Sequence, residues 1–226
     1  MAEERLRPSA LGSRITQHHP LAPLRALALC GNTTVCGMVA APRSGKIMSY
    51  RRSLWDFALD NHGYVTTRDA RHLGIPPGEL AKLAARSGLS NVSYGVYRFD
   101  DAPHSPNDQF YEAVLRVGEG AHLTRDAVLA LHDLALVNPR RIRVGLARRT
   151  EAQLPDWIEV VREAVPAEDL TTYERIPSTT VARALIDCRG IVMRERLLEA
   201  LDDSVRRGLV RRRDRSRVED AIKETP

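Results

Sequence analysis

No run of eighteen apolar residues occurs anywhere in the 226 positions, so no helix is expected to span a membrane. Cysteine is scarce. Cys30, Cys36 and Cys188 have neither metal-ligand spacing nor the pattern of a disulfide framework, and reduced thiols in a cytoplasmic protein are expected. Lysine is as scarce, present only as Lys46, Lys82 and Lys223. None stands near paired acids, which removes nucleases that need a lysine beside two carboxylates. There is no glycine loop that would cradle phosphates and no kinase motif. His62, His72, His104, His122 and His132 lack ligand spacing, and His132, within an apolar run, reads as a core or cap residue.

What the chain does have is arginine and a workable core. Hydrophobic residues make up 43% of it and the formal charge is +5, enough apolar material for one to two domains. The charge is unevenly placed. Residues 1–47 hold six bases and two acids, leaving a net +1 for residues 48–226. Local placement of charge, not the total, must therefore point to a partner.

Residues 1–47 are rich in Pro, Gly, Ser, Ala and Thr, show no sustained period, and are expected to be a disordered extension. Met48 then opens an amphipathic pattern, SYRRSLWDFALDNHG. Met48 is accordingly the expected start of the native product, which the intact mass from the native host would check. The expected organisation places a compact block at 48–100, a second domain at 106–210, and a basic tail with a short helix at 211–226. The class expected is α+β and mainly helical.

Within the block, Leu54, Trp55, Phe57 and Ala58 mark a first helix stopped at Asn61-His62-Gly63. Thr66 and Asp69 have capping-box spacing for a second, with Ala70 and Leu73 facing inward. Pro77 starts a third, with Leu80, Leu83 and Ala84 buried. LSNV and GVYRF around Ser93-Tyr94-Gly95 read as a hairpin. Three helices and a hairpin in that order are a winged helix-turn-helix, whose third helix enters the DNA major groove. Its free face carries Lys82 and Arg86, one turn apart. The candidate DNA-binding residues are Thr67, Arg68, Lys82, Arg86, Ser90, Asn91, Ser93, Tyr94 and Arg98. The same residues also suit a protein-docking module, and that reading stays open here.

The run GYVTTRDARHLGIPPGELAKLAARSGLSNVSYGVYR resembles the N-terminal domain of the AbiEi antitoxin family. The shared positions are Gly63, Val65, Thr66, Thr67, Gly74, Ile75, Leu80, Leu83, Gly88, Leu89, Gly95, Val96, Tyr97 and Arg98. HLTRDAVLALHDL and IPSTTVARALIDC resemble segments of the domain that follows in such proteins. The resemblance covers about residues 50–205. It implies an N-terminal winged helix followed by a mixed α/β antitoxin domain. It also implies an antitoxin that binds inverted repeats in its own promoter, represses it, and counters a nucleotidyltransferase toxin. Family wings often carry several basic residues after the Gly-Leu junction; this chain has Ser90, Asn91 and Ser93 there.

Beyond the block, DDAPHSPND reads as a linker. QFYEAVLRVG and TRDAVLALHDLALV are expected helices, RRIRVGL and WIEVVREAV expected strands, and TTYERI extended. Pro177 and Ser178 are expected to start a helix through TTVARALIDC. Residues 193–207 form the clearest helix, with Asp202–Arg206 and Asp203–Arg207 at pairing distance. Additional basic contacts, to DNA or to the toxin, are expected from Arg140, Arg141 and Arg143, where a strand would turn Arg141 and Arg143 outward, and from Arg211, Arg212 and Arg213; a solvated edge strand guarded by its charges is the other reading of the first group. Asp100 and Asp101 are adjacent, so on a strand they would face opposite sides and share no metal. No enzyme activity, metal or cofactor is expected.

Overall fold

A computed structural model of the chain describes residues 43–86 and 88–224. It is a mixed α/β molecule in which helix takes 43% and strand 20%, so helix predominates. Among the described residues, no helix is long and apolar enough to cross a membrane.

The first helix, α1, spans Arg43–Leu59. It begins upstream of Met48, so the boundary expected at 47/48 falls inside a helix; residues 1–42 lie outside the described residues. Leu54 and Ala58 are fully buried, and Trp55 stands edge-on to Phe99 at 5.1 Å. At the end of α1 the Asn61 side chain donates to the Phe57 carbonyl at 2.7 Å.

Strand β1 (Tyr64–Thr66) leads into α2 (Thr67–His72). Both arms of the capping box form: Asp69 N–H donates to Thr66 Oγ1, and Thr66 N–H donates to Asp69 Oδ2 at 2.9 Å. A cap of this kind is worth about 0.5–2 kcal/mol, which matters for a helix of six residues. Leu73, expected inward, is 39% exposed, because it sits at the C-cap where the chain leaves α2. Helix α3 spans Pro77–Ala84 and buries Leu80 and Leu83. Strands β2 (Leu89–Ser93) and β3 (Val96–Phe99) form the hairpin, and β3 pairs with β1, giving the antiparallel order β1-β3-β2. Leu54, Val65, Ile75, Leu80 and Phe99 share one core.

The second region packs helices around a five-stranded sheet of order β6-β5-β4-β8-β7. Its elements are α4 (Asp108–Val117), β4 (His122–Leu123), α5 (Asp126–Leu131), β5 (Ile142–Leu146), β6 (Ile158–Arg162), β7 (Leu170–Tyr173), β8 (Ile176–Thr179), α6 (Val181–Asp187), α7 (Arg194–Arg206) and α8 (Arg215–Lys223). Strands β5 and β6, and β4 and β8, run parallel; β4 and β5, and β7 and β8, run antiparallel.

Several expectations need correction here. The helix expected over TRDAVLALHDLALV stops at Leu131. Asp133, Ala135 and Leu136 have φ of 53°, 58° and 48°, and the turn they make drops Leu134 into the core, 2% exposed. Pro177 and Ser178 lie in β8, not at a helix start; the cap of α6 is Thr180, whose side chain accepts from Arg183 N–H. Strand β5 lies between β6 and β4, so it is interior and not an edge. Asp202 pairs with Arg215 at 2.7 Å and Arg206 with Asp203 at 2.7 Å; of the two expected pairs only Asp203–Arg207 forms, at 3.3 Å. The C-terminal segment is no tail: Val218 and Ile222 of α8 are buried in the main core.

Candidate nucleic-acid interface

The block offers fewer free cations than its sequence suggests. Lys82 is exposed on α3 but donates to Glu79 at 2.8 Å. Arg86 lies past the end of α3, beyond its C-cap Ala85, so it does not share a helical face with Lys82. It is exposed and has no acid partner among the described residues. Arg68, in the first turn of α2, pairs with Glu119 at 2.8 Å. Such exposed pairs are worth about 0–1 kcal/mol, so Lys82 and Arg68 can exchange their carboxylates for phosphates at little cost. Arg71, absent from the candidates above, is exposed in the last turn of α2 with no acid partner among the described residues. Its position in a basic helix terminus is the signal that could have found it.

The hairpin presents polar groups and one aromatic. Ser90 and Asn91 are exposed, and Ser90 Oγ donates to Asp100 Oδ1 at 2.6 Å, which places an acid beside one expected phosphate contact. Ser93 is half-buried and lies at an irregularity in the β2–β3 ladder. Tyr94 at the hairpin tip is fully exposed, at 103%. Thr67 N–H donates to the Gly95 carbonyl at 2.9 Å, tying the tip to the start of α2.

Arg98 is the clearest miss. It is 9% exposed and faces inward, so it is not a surface contact. Its guanidinium donates to the carbonyls of Phe99 at 3.1 Å and Ala102 at 3.3 Å, and to Asp108 Oδ2 at 3.3 Å. It thereby gathers the segment expected to be a free linker and fixes it against α4. The seam between block and second region has further polar contacts. Tyr64 Oη donates to Glu112 at 2.7 Å, Tyr111 Oη donates to Asn61 Oδ1 at 3.2 Å, and His62 Nδ1 lies 3.4 Å from Asp108. No local sequence signal marks these partners, because they are brought together from segments about fifty residues apart.

The second region places its arginines in two ways. Arg143 points from β5 into an ion pair with Asp126 and another with Glu159 at 3.4 Å; the acids hold its charge firmly, and it is not a free contact. Arg140 and Arg141 precede it, exposed, without acid partners among the described residues. Arg211, Arg212 and Arg213 lie at the turn between α7 and α8, exposed and likewise without acid partners among the described residues. Arg217 adds a fourth such group on α8.

Titratable groups inside the second region serve packing. His122 Nε2 lies 3.6 Å from Glu163 Oε1 across Gly145, and the His122 ring holds that carboxyl below the usual carboxylate range. His132 is buried against Tyr173, with ring centres 4.4 Å apart, and burial pushes it below the usual histidine value. Burial also pushes the Cys188 thiol up to about 12, so it stays protonated and unreactive. Cys30 and Cys36 lie outside the described residues. Among the described residues no group of three or more His, Cys, Asp or Glu side chains is arranged to hold a metal ion.

Comparison with known proteins finds no family model that matches the chain and no curated protein that matches it.

Proposed function

We propose that the chain is a DNA-binding antitoxin and autorepressor of the AbiEi type, with residues 48–100 acting as a winged helix-turn-helix. In this reading α3 enters the major groove, and the β2–β3 hairpin is the wing. The operator is an inverted repeat upstream of the gene, and the toxin countered is a nucleotidyltransferase. The chain acts in the cytoplasm and carries out no reaction of its own.

The supporting observation is where the glycines of the family-like pattern fall. Gly74 turns the chain from α2 towards α3 at φ 71°, and Gly95 turns the hairpin at φ 72°. Both conformations suit glycine and are strained for other residues. A Cβ on Gly95 would come within 3.0 Å of Thr67 Oγ1, so the same residue lets the hairpin tip close onto α2. Composition alone gives no reason for the pattern to name the residues required at both turns of a helix-turn-hairpin block.

The second reading is a module that neutralises a partner enzyme by contact. It is favoured by the pairing of Arg51 with Asp101, Arg52 with Asp56, Arg68 with Glu119 and Lys82 with Glu79, which lowers the positive potential of the block. A gel-shift titration on the DNA upstream of the gene, beside an unrelated duplex and at two salt concentrations, separates the two. Preference for the upstream DNA that survives the higher salt supports the repressor. Absence of binding, with co-purification of the neighbouring gene product at high salt, supports the module.

A further inference from the structure

The chain that follows α5 turns twice in quick succession, and the second turn carries a side chain that packing does not explain. Asp133, Ala135 and Leu136 are left-handed, with φ of 53°, 58° and 48°. Ala135 and Leu136 are adjacent in one turn. Turns with two left-handed central residues are dominated by Gly, Asn and Asp, because other side chains are strained there. Burial of Leu134, 2% exposed, accounts for the path of the backbone. Ala135 and Val137 are half-buried and pack on the same core. Leu136 has no such role. It is 83% exposed, more than any other large aliphatic side chain among the described residues. Asparagine or glycine would hold the same turn with less strain and without an apolar side chain in water.

Strain of this kind persists only where the surroundings hold it, and it is concentrated at binding sites and switches. Here the holding contacts come from two helices. Leu134 N–H donates to the Leu129 carbonyl of α5 at 2.8 Å. Arg207, at the end of α7, donates to the His132 carbonyl at 2.8 Å. The tip is therefore presented on a fixed base. Arg140 and Arg141 follow Leu136 closely in the chain, exposed and without acid partners among the described residues. Asp133 is the one acid between His132 and Arg141.

We propose that the Ala135–Leu136 turn is a docking knob for a second protein, whose surface offers an aliphatic pocket rimmed by carboxylates. Leu136 fills the pocket, and Arg140 and Arg141 meet the rim. Two free cations against one acid favour an acidic partner surface. The leucine favours protein over a phosphate backbone, because phosphate gains from cations and not from an aliphatic side chain. Taking Leu136 out of water on docking offsets the strain of its turn. A single well-fitted anchor of this kind can carry much of an interface. The proposal rests on the function proposed above only for the identity of the partner, the toxin that the chain counters.

Two measurements on the full chain test it. The first is thermal melting of Leu136→Asn. The turn favours asparagine, so the variant is expected to melt about 2–4 °C above the wild type. A lower melting temperature, or a variant that does not fold, means that the fold itself uses the leucine, and overturns the knob. The second is calorimetric titration with the purified product of the neighbouring gene, the toxin in that reading, at two salt concentrations. Leu136→Asn is expected to weaken binding at least about tenfold. Leu136→Met, apolar and of similar size, is expected to keep it. Replacing Arg140 and Arg141 by alanine is expected to weaken it most at the lower salt. Equal binding by the wild type and Leu136→Asn overturns the knob and leaves the toxin reading in place. No binding by the wild type at either salt also overturns it, and a gel shift on the upstream DNA then decides whether the repressor reading survives. Loss of DNA affinity in Leu136→Asn, with toxin binding intact, assigns the leucine to DNA and overturns the protein partner.

Discussion

The N-terminal block and the second region treat their basic side chains in opposite ways. In the block, Arg51, Arg52, Arg68 and Lys82 each stand beside an acid, and Arg98 is buried on Asp108. Arg71 and Arg86 have no acid partner among the described residues. In the second region Arg143 and Arg183 are locked to carboxylates, but Arg140, Arg141, Arg211, Arg212, Arg213 and Arg217 face outward without acid partners among the described residues. Phosphate contacts position a protein on DNA and base contacts specify the site. Under the function proposed above, the block would contribute shape and a few reading groups, and the second region the non-specific attraction. Four predictions, taken in order of expected size, bear on this comparison.

The largest concerns Arg98, the cation that belongs to neither surface. Removing it strands Asp108, a carboxylate whose side chain is 10% exposed. Leaving one partner of a buried pair costs about 3–5 kcal/mol. Arg98→Ala is expected to lower the melting temperature sharply, whereas Arg86→Ala leaves it unchanged. A stable Arg98→Ala protein that has lost only DNA binding would restore Arg98 to the interface.

Next in size is the pair held inside the second region. A Cβ on Gly145 would collide with His122 Nε2 and lie 2.6 Å from Glu163 Oε1, so Gly145→Ala forces the pair apart at about 1–3 kcal/mol. The same pair has a pH signature. The Glu163 carboxyl is held below its ordinary value by His122, so its contribution is present above that value and lost as pH falls through the folded one. His132, lowered by burial, acts in the same direction at higher pH, since charging it opposes folding. Global melting is thus expected to weaken on acidification. A melting temperature constant from neutral to acid pH would count against both groups.

The third prediction sets the two regions against each other on DNA. Arg86→Ala and Arg71→Ala are each expected to weaken operator binding by about 1–3 kcal/mol if they touch bases, with relaxed sequence preference. Replacing Arg211, Arg212 and Arg213 together is expected to weaken binding to all duplexes alike. It should also flatten the salt dependence by about 0.9 in slope for each phosphate no longer neutralised. Equal effects of both sets on sequence preference would erase the division of labour.

Much of the fold was legible in local pattern. The Thr66–Asp69 cap, the Leu80–Leu83 stripe of α3 and the hairpin around Tyr94-Gly95 are set by neighbours within a few residues, and short-range spacing carries that information. What the sequence did not reveal depends on distant partners. Arg98 reads as a wing cation until Asp108 and the Ala102 carbonyl are beside it. Arg143 looks like an outward stripe until β6 and α5 bring Glu159 and Asp126. The apolar run after Leu131 scans as helix because periodicity ignores that burying Leu134 needs a left-handed turn. The candidate interface was legible only in part for the same reason: a free charge is a property of the surroundings, and residue type alone does not define it.

The smallest effect tests whether pairing within the block matters at all. Lys82 and Glu79 are one helical turn apart, with side chains 64% and 23% exposed, and such a pair contributes only about 0.3–0.5 kcal/mol. Glu79→Gln is therefore expected to leave stability within about 0.5 kcal/mol. It removes the carboxylate that repels phosphate and leaves Lys82 free to reach one. If α3 lies against DNA, the variant binds every duplex more tightly, and its salt dependence steepens by the amount expected for about one more neutralised phosphate. Lys82→Ala in the same background then reverses the gain. If α3 docks on a protein surface, Glu79→Gln leaves DNA binding untouched, because a charge far from the phosphates is screened within about 8–10 Å at ordinary salt.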